Sequence, residues 1–130
     1  MTQDLYGLPV TVENPETLNG INDFIHGFLS YHPKAAGIIA AADADPDCAL
    51  VNAYAAMLWM FMEAPVAPQN AAPYLARSNA HRDAVTAREA LVIDAAAAWI
   101  ADDVPELLAL CDRITTDHPR DMAMLKLAQY

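Results

Sequence analysis

Hydrophobic positions along this chain recur at helical spacing, and prolines interrupt them. Asn14-Pro15 reads as an N-cap followed by proline at the first helical position, where its missing N–H is not needed. Behind it, Leu18, Ile21, Ile25, Phe28 and Leu29 make one apolar stripe. Tyr31-His32-Pro33 ends this helix and opens a shorter one, which carries Ile38 and Ile39 and stops near Asp43-Ala44-Asp45-Pro46. A third helix, about Asp47 to Glu63, is apolar nearly all round and needs cover on more than one side. Asp47 is placed to cap it, and Ala64 to Asn70 reads as the clearest loop. A polar fourth helix is predicted from about Ala71 to Ala84. Thr86-x-x-Glu89 then reads as a capping box for a fifth, with Leu91, Ala95, Ala98 and Trp99 on one face. The sixth, about Val104 to Asp117, has Val104, Leu107, Leu108, Cys111 and Ile114 on a stripe. A seventh runs from Arg120 to Tyr130. No segment alternates with period two, so no sheet is expected.

The proline stops suggest a repeat. Asp45-Pro46 and His118-Pro119 each close a helix pair and stand 73 residues apart, room for two units. Thr86 to Pro119 spans 34 residues, the tetratricopeptide period. In that register Ala55, Ala56 and Ala95 fall where paired helices must approach closely, and Trp59, Leu107, Cys111 and Ile114 where packing residues are wanted. Asp102 stands where glycine is usual, and Cys111 where an aromatic is usual. The expectation is an all-α fold of tetratricopeptide-like antiparallel helix pairs in a short right-handed α-solenoid of about seven helices. It is one domain over 1–130, with repeats at about 13–46, 47–85 and 86–119 and a terminal helix at 120–130.

Thr86-Ala-Arg-Glu89, Trp99 to Asp103, Val104-Pro105 and Asp117-His118-Pro119-Arg120-Asp121-Met122 resemble the N-terminal part of the tetratricopeptide repeat protein 38 family. Leu8-Pro-Val-Thr11 before an amphipathic helix and Ala42-Asp-Ala-Asp-Pro46 are similar in order and spacing. The D-H-P-x-D-M segment is the most specific part. The resemblance covers most of this chain and corresponds to the first quarter or third of family members. It implies an α-solenoid scaffold and supplies no catalytic residues to carry over.

Composition narrows the partners. Of 130 residues 55% are hydrophobic, so a real core can form, and the formal net charge is −10. That charge opposes nucleic acid and anionic membrane surfaces alike, since both require a basic patch. The acids gather at turns, notably Asp43–Asp47, Asp102–Asp103 and Asp117–Asp121, where they are expected to solvate helix ends. The apolar run from Cys48 to Met62 is shorter than the ~20 residues of a membrane span. No leader is evident at the N-terminus, and Cys48 and Cys111 form no paired motif, so a soluble cytoplasmic protein with two buried thiols is expected.

No catalytic or metal constellation emerges. His26, His32, His81 and His118 never pair at helical spacing, and His32 and His118 precede prolines at helix ends, where they can bond backbone groups. Asp43-x-Asp45-x-Asp47 lacks the glycine and the terminal glutamate of a calcium loop. Neither a metal nor another cofactor is therefore expected. The better candidate is a surface. In the repeat register a concave groove would hold Glu16, Asn19 and Asp23 from the first helix, Ala53, Met57 and Met60 from the third, and Val92, Ala96 and Trp99 from the fifth. It lacks the basic set that clamps a C-terminal carboxylate, and its Met and Trp residues suit an apolar peptide or helix. A second surface is the stripe of Met122, Met124, Leu125 and Leu127, which either packs back as a cap or supports a homodimer. The sequence thus points to a non-enzymatic module binding a protein or peptide. The alternatives are a small helical enzyme or ligand-binding protein with a pocket near Trp59, His81 and Trp99, and a piece of a longer solenoid without separate function.

Overall fold

Most of the helices begin at a local signal. The computed structural model describes residues 2–129. The Asn14 side chain accepts from Glu16 N at 2.9 Å and Pro15 occupies the first position of α1 (Pro15–Ser30). His32 Nδ1 accepts from Lys34 N to start a 3-10 turn (Pro33–Ala36), which leads directly into α2 (Gly37–Ala44). After α3 (Ala49–Phe61) and α4 (Ala67–Ala80), the Thr86/Glu89 capping box opens α5 (Ala87–Ile100). Asp103 caps α6 (Val104–Asp117), and Asp121 accepts from Met124 N ahead of α7 (Met122–Gln129). The protein is thus all-helical, with seven α-helices and no strand among the described residues beyond one isolated bridge between Gln3 and Pro9. Tyr130, assigned to the last helix from the sequence, lies outside the described residues.

Three local expectations are corrected. The predicted loop from Ala64 to Asn70 is helical from Ala67 on, because Pro68 falls within the first turn, where no N–H is required. Asp47 does not cap α3, whose N-cap is Cys48 without a side-chain bond; its carboxylate meets His81 Nε2 at 3.2 Å instead. Asp121 is no solvated turn acid: it is 2% exposed and bonded to Arg88.

Consecutive helices pack on one another, and α3 lies between α1 and α5 with the C-terminal ends of all three together. Phe28 near the end of α1 meets Phe61 at the end of α3 edge-on, with centroids 5.0 Å apart, while Phe24 stacks on Tyr54 midway. Ala55, Ala56 and Ala95, expected where paired helices approach closely, are fully buried. Gly27 serves the same purpose between α1 and the following turn, where an added Cβ would stand 2.7 Å from Ala35 N. α3 lies at the centre, packed on α1, α2, α4 and α5, which is the cover its apolar circumference demanded. α7 packs on α6 and also on α1. In an open stack each unit touches only its neighbours, so this contact between the first and last helices closes the array.

Candidate binding surface

The two ends of the odd-numbered helices differ in character. At their N-terminal ends, residues 2–12 cross the array and seal it. Glu89, fully buried on α5, accepts from Thr11 N at 2.9 Å, Thr11 Oγ1 at 2.8 Å and Thr86 N at 3.1 Å. Beside it Arg88 Nη1 donates to Asp121 Oδ2 at 2.9 Å and Arg88 Nη2 to the Pro9 carbonyl at 3.2 Å. Val10 and Val12 complete the seal, and Cys48 Sγ lies 3.8 Å from the Thr11 carbonyl oxygen. Behind this layer is Tyr54, whose phenol is pushed well above its ordinary range, first by burial and then by the nearby Asp121 charge. Its hydroxyl and Arg88 Nε both lack a hydrogen-bond partner of good geometry, although each group shifts the other's protonation. Burial opposes the Arg88 charge, but Tyr54 and Asp121 together hold the guanidinium more firmly protonated. Burial likewise raises the Asp121 carboxyl, with Arg88 pulling it back. This polar cluster is spent on structure.

The C-terminal ends are open. Here α1, α3 and α5 each finish with a non-glycine residue in the left-handed region: Tyr31 (φ 57°), Glu63 (φ 56°) and Asp102 (φ 57°). Such a residue costs roughly 1–2 kcal/mol where glycine costs little. His32 N reaches back to Gly27 O and Asp103 N to Ala98 O, both at 2.9 Å, the six-residue closure that a left-handed cap permits. Glu63 and Asp102 also place negative charge at helix C-termini, where the helix dipole disfavours it. Two local preferences are therefore broken at the same residues. Strained positions of this kind concentrate at functional sites.

All three left-handed residues line pockets flanking the last turn of α3. One pocket, of about 280 Å³, is walled mainly by Gly27, Phe28, Tyr31, Leu58, Phe61 and Met62 and is overwhelmingly apolar. The other, of about 390 Å³, has Met60, Trp99 and Ile100 on its apolar side, with Glu63 and Asp102 at its rim. Tyr31 at 69% exposure and Met62 at 47% extend apolar surface along this edge.

Of the groove residues predicted from the sequence, only Met60 and Trp99 come together in one of these pockets. Ala53, Met57, Val92 and Ala96 are buried in the core, while Glu16, Asn19 and Asp23 are exposed on α1, with Asp23 at 3.9 Å from Lys34 Nζ. Met57 and Val92 belong to the hydrophobic core around α3 rather than to a groove floor. In the terminal stripe Met124 and Leu127 are buried, Met122 is half-buried and Leu125 is 37% exposed, so α7 packs back onto its neighbours. The alternative pocket near Trp59, His81 and Trp99 does not assemble: His81 pairs with Asp47 at one end of α3, and Trp99 lies by Met60 at the other. Cys48 and Cys111 are buried and unpaired with each other, and no group of three or more His, Cys, Asp and Glu is set to hold a metal among the described residues. No helix there is long and apolar enough to cross a membrane.

Tyr31, Phe61, Met62, Glu63 and Ile100 were missed in the sequence. The one available hint was Asp102 standing where the repeat favours glycine.

No family model, curated protein or solved structure matches this chain.

Proposed function

We propose that the protein is a non-enzymatic protein-binding module. It is built from three tetratricopeptide-like helix pairs plus a closing helix, and it docks its partner on the open end rather than in a concave groove. The observation that carries this reading is the set of three costly left-handed caps, Tyr31, Glu63 and Asp102, all lining the two pockets beside α3. The resemblance to the tetratricopeptide repeat protein 38 family, through Thr86–Glu89 and Asp117–Met122, supports a scaffold role. Those motif residues include Arg88, Glu89 and Asp121 of the sealed end, so the motif is explained by architecture rather than chemistry. An enzyme reading has no comparable support, since His32, the one histidine in the apolar pocket, already spends Nδ1 on capping.

The test is capture by the immobilised protein, repeated with a Met60→Ala/Trp99→Ala variant whose helical content and melting are unchanged. A single stoichiometric protein retained by the original and lost from the variant is expected. A stoichiometric partner held equally by both, or one lost instead on changing Leu125 of α7, contradicts the open end as the docking site.

A further inference from the structure

Resting on that reading, we infer the chemistry of the partner: a segment that presents a lysine or arginine next to a large apolar side chain. The acidic-rimmed pocket takes the basic residue, and the adjoining apolar pocket takes its neighbour. The open end gathers the C-termini of α1, α3, α5 and α7 and the N-termini of α2, α4 and α6, so the helix dipoles largely offset one another, and the basic Lys126 there sits on Tyr31 by the apolar pocket. Side chains then set the potential, and those of the larger pocket that carry charge are Glu63 and Asp102, both acidic. Neither is in an ion pair among the described residues, whereas Asp43, Asp94 and Asp121 all have arginine partners. Asp103 adds a third carboxylate next in the chain, partly spent on capping Glu106 N.

Shape makes the basic residue specific. The apolar wall of Met60, Trp99 and Ile100 offers a long aliphatic stem a surface to lie on, with the cationic head left at the carboxylate rim. Trp is the best aromatic face for a cation, and methionine adapts to the stem's path. Met60 and Glu63 face the acidic-rimmed pocket, while Phe61 and Met62 face the apolar one. A single extended segment crossing the end of α3 thus meets both. The net charge of −10 favours its approach at long range without selecting a site.

The experiment is calorimetric titration of the full chain with a short peptide of alternating lysine and leucine at physiological salt. Its counterpart has glutamate in place of lysine. Glu63→Gln/Asp102→Asn keeps the side-chain sizes and tolerates the left-handed backbone. A control, Glu13→Gln/Asp112→Asn, removes the same charge from exposed positions elsewhere. The expected result is saturable binding of the lysine peptide, weakened roughly tenfold by the open-end pair, unchanged by the control, and absent for the glutamate peptide. Equal loss in both variants, or no binding of the lysine peptide, overturns the inference. Binding of the glutamate peptide that Met60→Ala/Trp99→Ala abolishes would overturn it while sparing the docking surface. If neither peptide nor a captured partner responds to Met60 and Trp99, both readings fall.

Discussion

Asp102 shows how a single residue can be locally unfavourable and informative. Its left-handed backbone and its charge at the end of α5 both oppose stability. Asp102→Gly should therefore raise stability by about 1 kcal/mol, read as a higher denaturation midpoint at unchanged slope, while weakening a basic ligand. A stability loss would mean that the carboxylate makes a structural contribution outweighing the strain. Cys111 is the opposite case, a side chain at ease only inside. Burial pushes its thiol up to about 11, against 9.0 for an unperturbed one. Between those values the folded chain holds a proton that the unfolded chain releases. Stability should thus fall as pH rises from about 9 and the loss should be complete above about 11. Thiolate absorbance near pH 10 should be absent from the native protein and appear on unfolding. Its early appearance would show the thiol reaching water. Burial of both cysteines was legible from their apolar context, but Asp102 was visible only as an exception to a repeat, because backbone angles leave no direct mark in the sequence.

Among elements, the sealed end depends on neighbouring residues of α5 facing different partners. Breaking the buried Arg88–Asp121 pair from one side leaves an uncompensated charge, so Arg88→Met or Asp121→Asn should each cost about 3–5 kcal/mol. The double variant should cost clearly less than their sum. Asn at 121 can still cap α7, so strict additivity in urea unfolding would show the two charges to be uncoupled. Glu89→Ala removes the acceptor shared by Thr11 and Thr86 and should cost about 2–3 kcal/mol. Its distinguishing sign is faster amide exchange in residues 3–12 than in α3; protection retained there would show that Val10 and Val12 alone hold the segment. The capping box was readable from Thr86-x-x-Glu89, because cap chemistry is local. The same glutamate's grip on Thr11, 78 residues away, was not, because spacing within one helix says nothing about which distant strand of chain lies over it. Nor could the start of α4 be read correctly, since Pro65 and Pro68 signal a turn and a helix start equally well.

For the molecule as a whole, the decisive feature is closure. Helical periodicity and proline stops yielded the seven helices, because a stripe and a breaker are properties of adjacent residues. Closure depends on α7 meeting α1, where Lys126 Nζ donates to the Tyr31 hydroxyl at 2.7 Å and sits 4.1 Å over its ring. Nothing in either helix announces the other. Met57 and Val92, expected on a groove, are core, and pockets lie at the C-terminal ends of α1, α3 and α5. Docking of a partner there is tested by backbone amide shift mapping during titration with the lysine–leucine peptide, with saturable shifts expected to concentrate in residues 27–36, 58–68 and 99–103. The largest shifts falling instead in residues 3–12, 86–89 and 118–124 would contradict it.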